Sequence, residues 1–235
     1  MVQPRISTRI MQLFARWHIW LGWLVGVPLL MWTLTGLVMA LYPLEDVRGE
    51  HLRTEAAVID TAELVFPERI GRAKGVVLTA QVDGPTWIVT EPDGGLYRYS
   101  ARDGSLIPPV IASEARRIAE AEYVGDAEIQ GITYFPADLS PPDLRAPIDS
   151  WQVHYSDGTN LYLRAATGEV LAMRTGWWRT YDFMWGLHIM DLQTREDSSH
   201  PILIAFAALA VAGSLLGCVL LFRRRKARRK PAARP

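Results

Sequence analysis

The stretch WHIWLGWLVGVPLLMWTLTGLVMALY, residues 17–42, holds 26 consecutive positions without a charged side chain. At a rise of about 1.5 Å per residue, a helix of that length crosses a hydrocarbon core of roughly 30 Å with some tilt. The stretch therefore predicts a membrane helix. Arg5, Arg9 and Arg16 precede it with no acid among them, Trp17, Trp20 and Trp23 sit where interfacial aromatics belong, and Tyr42-Pro43 closes the far side. The positive flank places residues 1–16 on the cytoplasmic side. A cleaved signal peptide is the competing reading, since Val38-Met39-Ala40 resembles a cleavage site, but its apolar region spans only about 7 to 15 residues. An uncleaved anchor is the expectation.

The other end of the chain repeats the argument in reverse order. Residues 201–222 are uncharged and are followed by Arg223-Arg224-Arg225-Lys226-Ala227-Arg228-Arg229-Lys230. A second span over 200–222 with a basic cytoplasmic tail, 223–235, follows from this pattern. The chain as a whole is neutral, but residues 1–16 carry three basic groups and 223–235 carry eight, with no acid in either. That leaves 14 basic and 25 acidic residues in 17–222, a net of −11. An acidic middle between basic ends is the asymmetry of an exported domain held by two anchors. Stop-transfer and contact with anionic lipid account for the tail, so membrane lipid is the expected partner and nucleic acid is not. Cys218, the only cysteine, lies in the second span, which excludes a disulfide and a thiolate metal site.

The middle, 43–176, reads as an internal duplication. Residues 60–72 predict a helix capped by Asp60 or Thr61 and interrupted or ended by Pro67. Runs at 76–82, 86–90, 96–100 and 105–107 predict an antiparallel meander, because Asp83-Gly84, Asp93-Gly94 and Asp103-Gly104 supply the positive φ of hairpin turns. A helix over 112–123, capped by Ser113, follows. At an offset of 64, Trp87 aligns with Trp151, Asp93-Gly94 with Asp157-Gly158, Tyr97 and Tyr99 with Leu161 and Leu163, and Gly104 with Gly168. Two helix-plus-meander copies, about 60–110 and 111–174, are expected, and 135–147, rich in proline, aspartate and leucine, reads as an ordered loop or linker between the copies.

Arg16-Trp17-His18-Ile19-Trp20-Leu21-Gly22 with Leu34-Thr35-Gly36-Leu37, the strand-Asp-Gly-strand units, and Gly186-Leu187-His188 before a final span ending in arginines resemble the PepSY-associated transmembrane proteins. The resemblance covers nearly the whole chain. It implies a membrane α+β protein of the bacterial inner membrane, in which two transmembrane helices flank a periplasmic domain of two PepSY-like helix plus antiparallel β-meander repeats. Larger members resemble iron-siderophore reductases that hold haem b through membrane histidines, and isolated PepSY domains are associated with regulating secreted peptidases. This chain has two clear spans where the larger members have four or more.

The histidines are therefore the candidate site residues. His18, one residue into the first span, reads either as a haem-iron ligand or as an interfacial side chain beside Trp17 and Trp20. His188 lies in the apolar and aromatic run 181–190, too short to cross a bilayer, within an interfacial segment 177–199, and reads either as an axial ligand or as a water-facing residue of an interfacial helix. His51 and His200 are its possible counterparts on the outer side. His18 lies roughly 30 Å away across the core, so it needs a ligand from another copy, another subunit or a non-histidine group. His154 reads as structural or surface, not as a site. Gly22-x-x-x-Gly26 and Gly213-x-x-x-Gly217 allow close approach of the two spans, of a second copy or of a membrane partner subunit. No nucleophile elbow, zinc-protease helix, phosphate loop or dinucleotide fingerprint is present, and no catalytic residue is assigned. Two functions follow. One is a haem-binding electron-transfer component of ferric-siderophore acquisition; the other is a non-catalytic periplasmic binding module that regulates a peptidase or accompanies a transporter.

Overall fold

The computed structural model describes residues 6–68 and 70–228, and the last residues of the basic tail, 229–235, lie outside it. The chain divides into a helical unit, Met1–Tyr42 with Tyr181–Pro235, and a sheet unit, Pro43–Thr180.

In the helical unit, α1 runs over Ile6–Leu41, and the last helix of the chain runs over Pro201–Arg228. Both are long and apolar enough to cross a membrane, over Arg9–Leu41 and Pro201–Phe222. The chain is accordingly a membrane protein with two candidate spans. Their contacts are antiparallel: His18 meets Gly213 and Gly217, and Trp32 shares a small cavity with Leu203. The less exposed positions recur at alternating steps of three and four, Phe14, His18, Leu21, Val25 and Pro28 on α1 against Leu203, Phe206, Ala210, Gly213, Gly217 and Leu220. That spacing is the seam of a left-handed helix pair, and the remaining faces expose Leu, Val and Trp side chains to the membrane. Pro28 is accommodated inside α1.

The sheet unit opens with a one-turn helix, α2 (Leu44–Val47), and a 3-10 turn at Glu50–Leu52. Four antiparallel strands follow in chain order, β1 (Gly75–Gln81), β2 (Gly84–Thr90), β3 (Leu96–Ser100) and β4 (Leu106–Ile107). After α3 (Ala112–Glu122) comes a second four-stranded antiparallel sheet of β5 (Ile129–Phe135), β6 (Ser150–Tyr155), β7 (Asn160–Arg164) and β8 (Val170–Arg174). Ala115, Ile118 and Ala119 of α3 pack on Val153, Leu161 and Leu163 and form the main core. On its other side α3 meets the first sheet, where Glu114 takes both ends of the Arg98 guanidinium at 2.7 and 2.8 Å. The helix is thus packed on the second sheet and tied to the first by charge.

The register of β2 with β3 recurs in β6 with β7 at the offset of 64: Trp87 faces Tyr99 as Trp151 faces Leu163, and Val89 faces Tyr97 as Val153 faces Leu161. Gly94 and Gly158, and Gly104 and Gly168, all take positive φ, which an L side chain adopts only with strain. Among the described residues of 60–72 the expected helix is not formed. Pro67 has no amide proton and restricts Phe66 before it, and the neighbouring groups bond elsewhere: Ala62 N–H to the Asp60 carboxylate and Val65 N–H to Ala101 O. Helix plus meander therefore describes only the second copy. α3 starts as expected, but its N-cap is Ile111 and Ser113 makes no capping bond. α4 (Gly176–Ile189) begins in the sheet unit and ends in the helical unit, and Pro201–Arg228 is α5.

Candidate functional site

Two imidazoles in the helical unit are seated in the same manner. His18 Nδ1 lies 3.0 Å from Gly213 O on α5. His188 Nδ1 lies 3.2 Å from Trp32 O and 3.1 Å from Thr35 Oγ1 on α1. A carbonyl oxygen only accepts, so in each ring Nδ1 carries the proton. The Thr35 hydroxyl donates to Met31 O at 2.9 Å, which leaves its lone pairs to receive His188. Each ring also lies on a glycine: a Cβ on Gly217 would stand 3.0 Å from His18 Cε1, and one on Gly36 would stand 3.0 Å from His188 Cε1. Trp32 stacks on His188 with centroids 5.3 Å apart and planes 19° from parallel.

A glycine beneath the ring and a carbonyl at Nδ1 fix each imidazole, and Nε2 makes no hydrogen bond among the described residues. In the neutral ring Nε2 holds the lone pair that binds a metal, and Nδ1–H···O=C is the usual outer contact of a ligating histidine. The donor chemistry therefore fits axial ligation of haem iron. The enclosed space does not: the apolar cavity between α1, α5 and Met190, which neither imidazole lines, holds about 40 Å³, against roughly 300 Å³ or more for ordinary cofactor pockets. Nor can one iron join the two, because Thr35, which holds His188, stands 17 residues along α1 from His18, about 25 Å.

The other expected ligands are separated by unit. His200 caps the start of α5, one turn before Leu203, and its Nδ1 is buried without a partner among the described residues. His188 and His200 stand at the two ends of one loop. Asp191 folds that loop: its carboxylate accepts the amides of Gln193, Thr194, Glu196 and Asp197 and the Thr194 hydroxyl. Those donors, the Thr194 hydroxyl foremost, hold its carboxyl well below the usual carboxylate range. Arg195 adds a 2.7 Å ion pair to Asp182, and its carbonyl receives Trp185 Nε1 at 2.9 Å. His51 belongs to the sheet unit, exposed and 3.9 Å from the Asp46 carboxylate. His154 lies on β6 with Nδ1 2.7 Å from the Asn160 amide. Among the described residues no cluster of three or more His, Cys, Asp or Glu is disposed to hold a metal ion.

Gly213 and Gly217 receive Leu21 and His18, whereas Gly22 and Gly26 face open space. Sequence reasoning assigned no role to Thr35 and Gly36 beyond their family pattern, and it missed Asp191. A Thr-Gly pair 17 residues beyond His18 was the available signal.

A family model described as the PepSY-associated TM region matches residues 15–235. No curated protein matches the chain. No solved structure matches it either.

Proposed function

The chain belongs to the PepSY-associated transmembrane family, and from that premise we propose that it is a haem-binding, electron-transfer component of ferric-siderophore acquisition in the bacterial inner membrane. Both termini are cytoplasmic in this reading, and the sheet unit is a periplasmic PepSY-like domain. The observation that carries it is the matched seating of His18 and His188, each with Nδ1–H on a helix carbonyl and its ring on a glycine. A bound haem b would supply one-electron transfer to a ferric complex. His188 would hold it on the outer side, with His200 as the opposite ligand, and His18 would hold a second on the inner side, completed by another copy or subunit. The glycine row Gly22 and Gly26, one and two steps of four beyond His18, leaves room beside that imidazole for such a neighbour.

The test is the visible spectrum of the detergent-purified chain, expressed with ample haem, before and after dithionite. The expected result is a Soret band that shifts on reduction, with part of the absorbance lost in His188→Ala and a separate part in His18→Ala. A His188→Ala protein that keeps its full haem complement overturns the outer site, and a colourless, folded wild-type chain overturns the redox reading altogether. The second reading, a periplasmic binding module, is favoured by the edge strand β1, where Val76 and Val77 are exposed.

A further inference from the structure

The sheet unit builds one clasp twice. Val110 donates its N–H to Ala165 O at 2.8 Å, and its carbonyl receives Trp151 Nε1 at 2.9 Å. Val65 donates its N–H to Ala101 O at 2.8 Å, and its carbonyl receives Trp87 Nε1 at 2.8 Å. Ala101 and Ala165, like Trp87 and Trp151, are 64 residues apart. The two valines therefore hold equivalent places over equivalent sheets, and the chain diverges only after them.

Beyond Val110 the chain forms α3, and β5 begins at Ile129; beyond Val65 it passes through Phe66-Pro67 and reaches β1 at Gly75 with no helix. The consequence is confined to part of the matched face, where Val89 and Tyr99, the counterparts of Val153 and Leu163, stay buried at 1% and 9% exposed. Leu161 is 0% exposed beneath α3, while its counterpart Tyr97 is 40% exposed and the neighbouring Phe66 and Leu106 are 53% and 58% exposed. Val65, Phe66, Tyr99 and Leu106 line a cleft of about 380 Å³, with Glu68 and Asp103 also on its wall.

We infer that this cleft is the docking site of an amphipathic helix from a partner protein. Its apolar stripe is small and branched, spaced as Ala115, Ile118 and Ala119 are, and its flanks are basic to meet Glu68 and Asp103. The second sheet supplies the template for how such a helix covers this face. No second copy supplies the helix, because α3 is already buried in its own core and α1 and α5 are apolar spans. The inference is independent of haem.

The experiment uses the full chain in detergent and two fluorescent synthetic peptides of roughly four helical turns. Both carry Ala and Ile at the α3 spacing; one has lysine flanks and the other glutamate flanks. Anisotropy should show saturable binding of the lysine peptide, about tenfold or more weaker to Leu106→Glu, and weaker binding of the glutamate peptide. Phe66→Ser is the second variant should Leu106→Glu melt early. Absence of saturable binding, or equal binding to chain and variants, overturns the inference. So does a dimer of the chain, seen by sedimentation, that Leu106→Glu abolishes.

Discussion

At the scale of single residues, the glycines under the two imidazoles carry as much of the arrangement as the histidines do. A methyl group at Gly217 or Gly36 would stand 3.0 Å from a ring carbon, closer than packed carbons lie, so the ring must turn or the helices must part. Gly217→Ala and Gly36→Ala are expected to destabilise the helical unit by about 1–3 kcal/mol, measured as a lower melting temperature in detergent, and to move the imidazole 15N shifts of His18 and His188 respectively. Tyr123 makes a different kind of prediction. Burial, followed by its 3.0 Å hydrogen bond to Asp157, pushes its phenol up to about 12. A raised value means that the fold favours the neutral phenol, so this stabilisation is complete below roughly pH 10 and is lost as pH climbs through 12. Unfolding followed from pH 8 to 12 should show that loss in the wild type and a flatter curve in Tyr123→Phe.

At the scale of elements, α3 depends on a charge as well as on its apolar face. Arg98 on β3 is 2% exposed, and it spends its donors on Glu114 and on Pro108 O. Glu114→Ala strands a buried guanidinium, and a loss of about 3 kcal/mol is expected in denaturant unfolding followed by tryptophan fluorescence. Arg98→Met combined with Glu114→Leu should recover most of it, because neither charge is then left unpaired. The strands were readable because Asp-Gly pairs punctuate alternating apolar runs, and both spans were readable from length and charge. β5 was not, since Gly131 breaks its alternation at a bulge against β6. The helix expected at 60–72 failed at Pro67, whose cost outweighed a weak apolar period. The seats of His18 and His188 left little trace, because their partners are backbone carbonyls 195 and 156 residues away and a carbonyl has no sequence signature.

At the scale of the whole molecule, charge asymmetry sets the orientation proposed for the chain, and one position tests it. Val58 is 99% exposed in the sheet unit. In a Cys218→Ala background, Val58→Cys should react in intact spheroplasts with a membrane-impermeant maleimide, whereas a cysteine placed in 229–235 should react only after lysis. The opposite pattern would invert the proposed topology. The bond from His18 to α5 also sets the axial register of the two long helices. In an α-helix the Gly213 carbonyl is directed toward the Gly217 amide, so the imidazole adds a second donor, from another helix, to one acceptor. Sliding α1 past α5 by half a turn, roughly 2.7 Å, would stretch a 3.0 Å bond lying across the axis to about 4 Å and break it. His188 ties the far part of α1 to α4 by the same means. Pinned in this way, α1 and α5 hold one axial register, and a piston motion of α1 along α5 and α4 would break both bonds, whereas rotation or tilt need not.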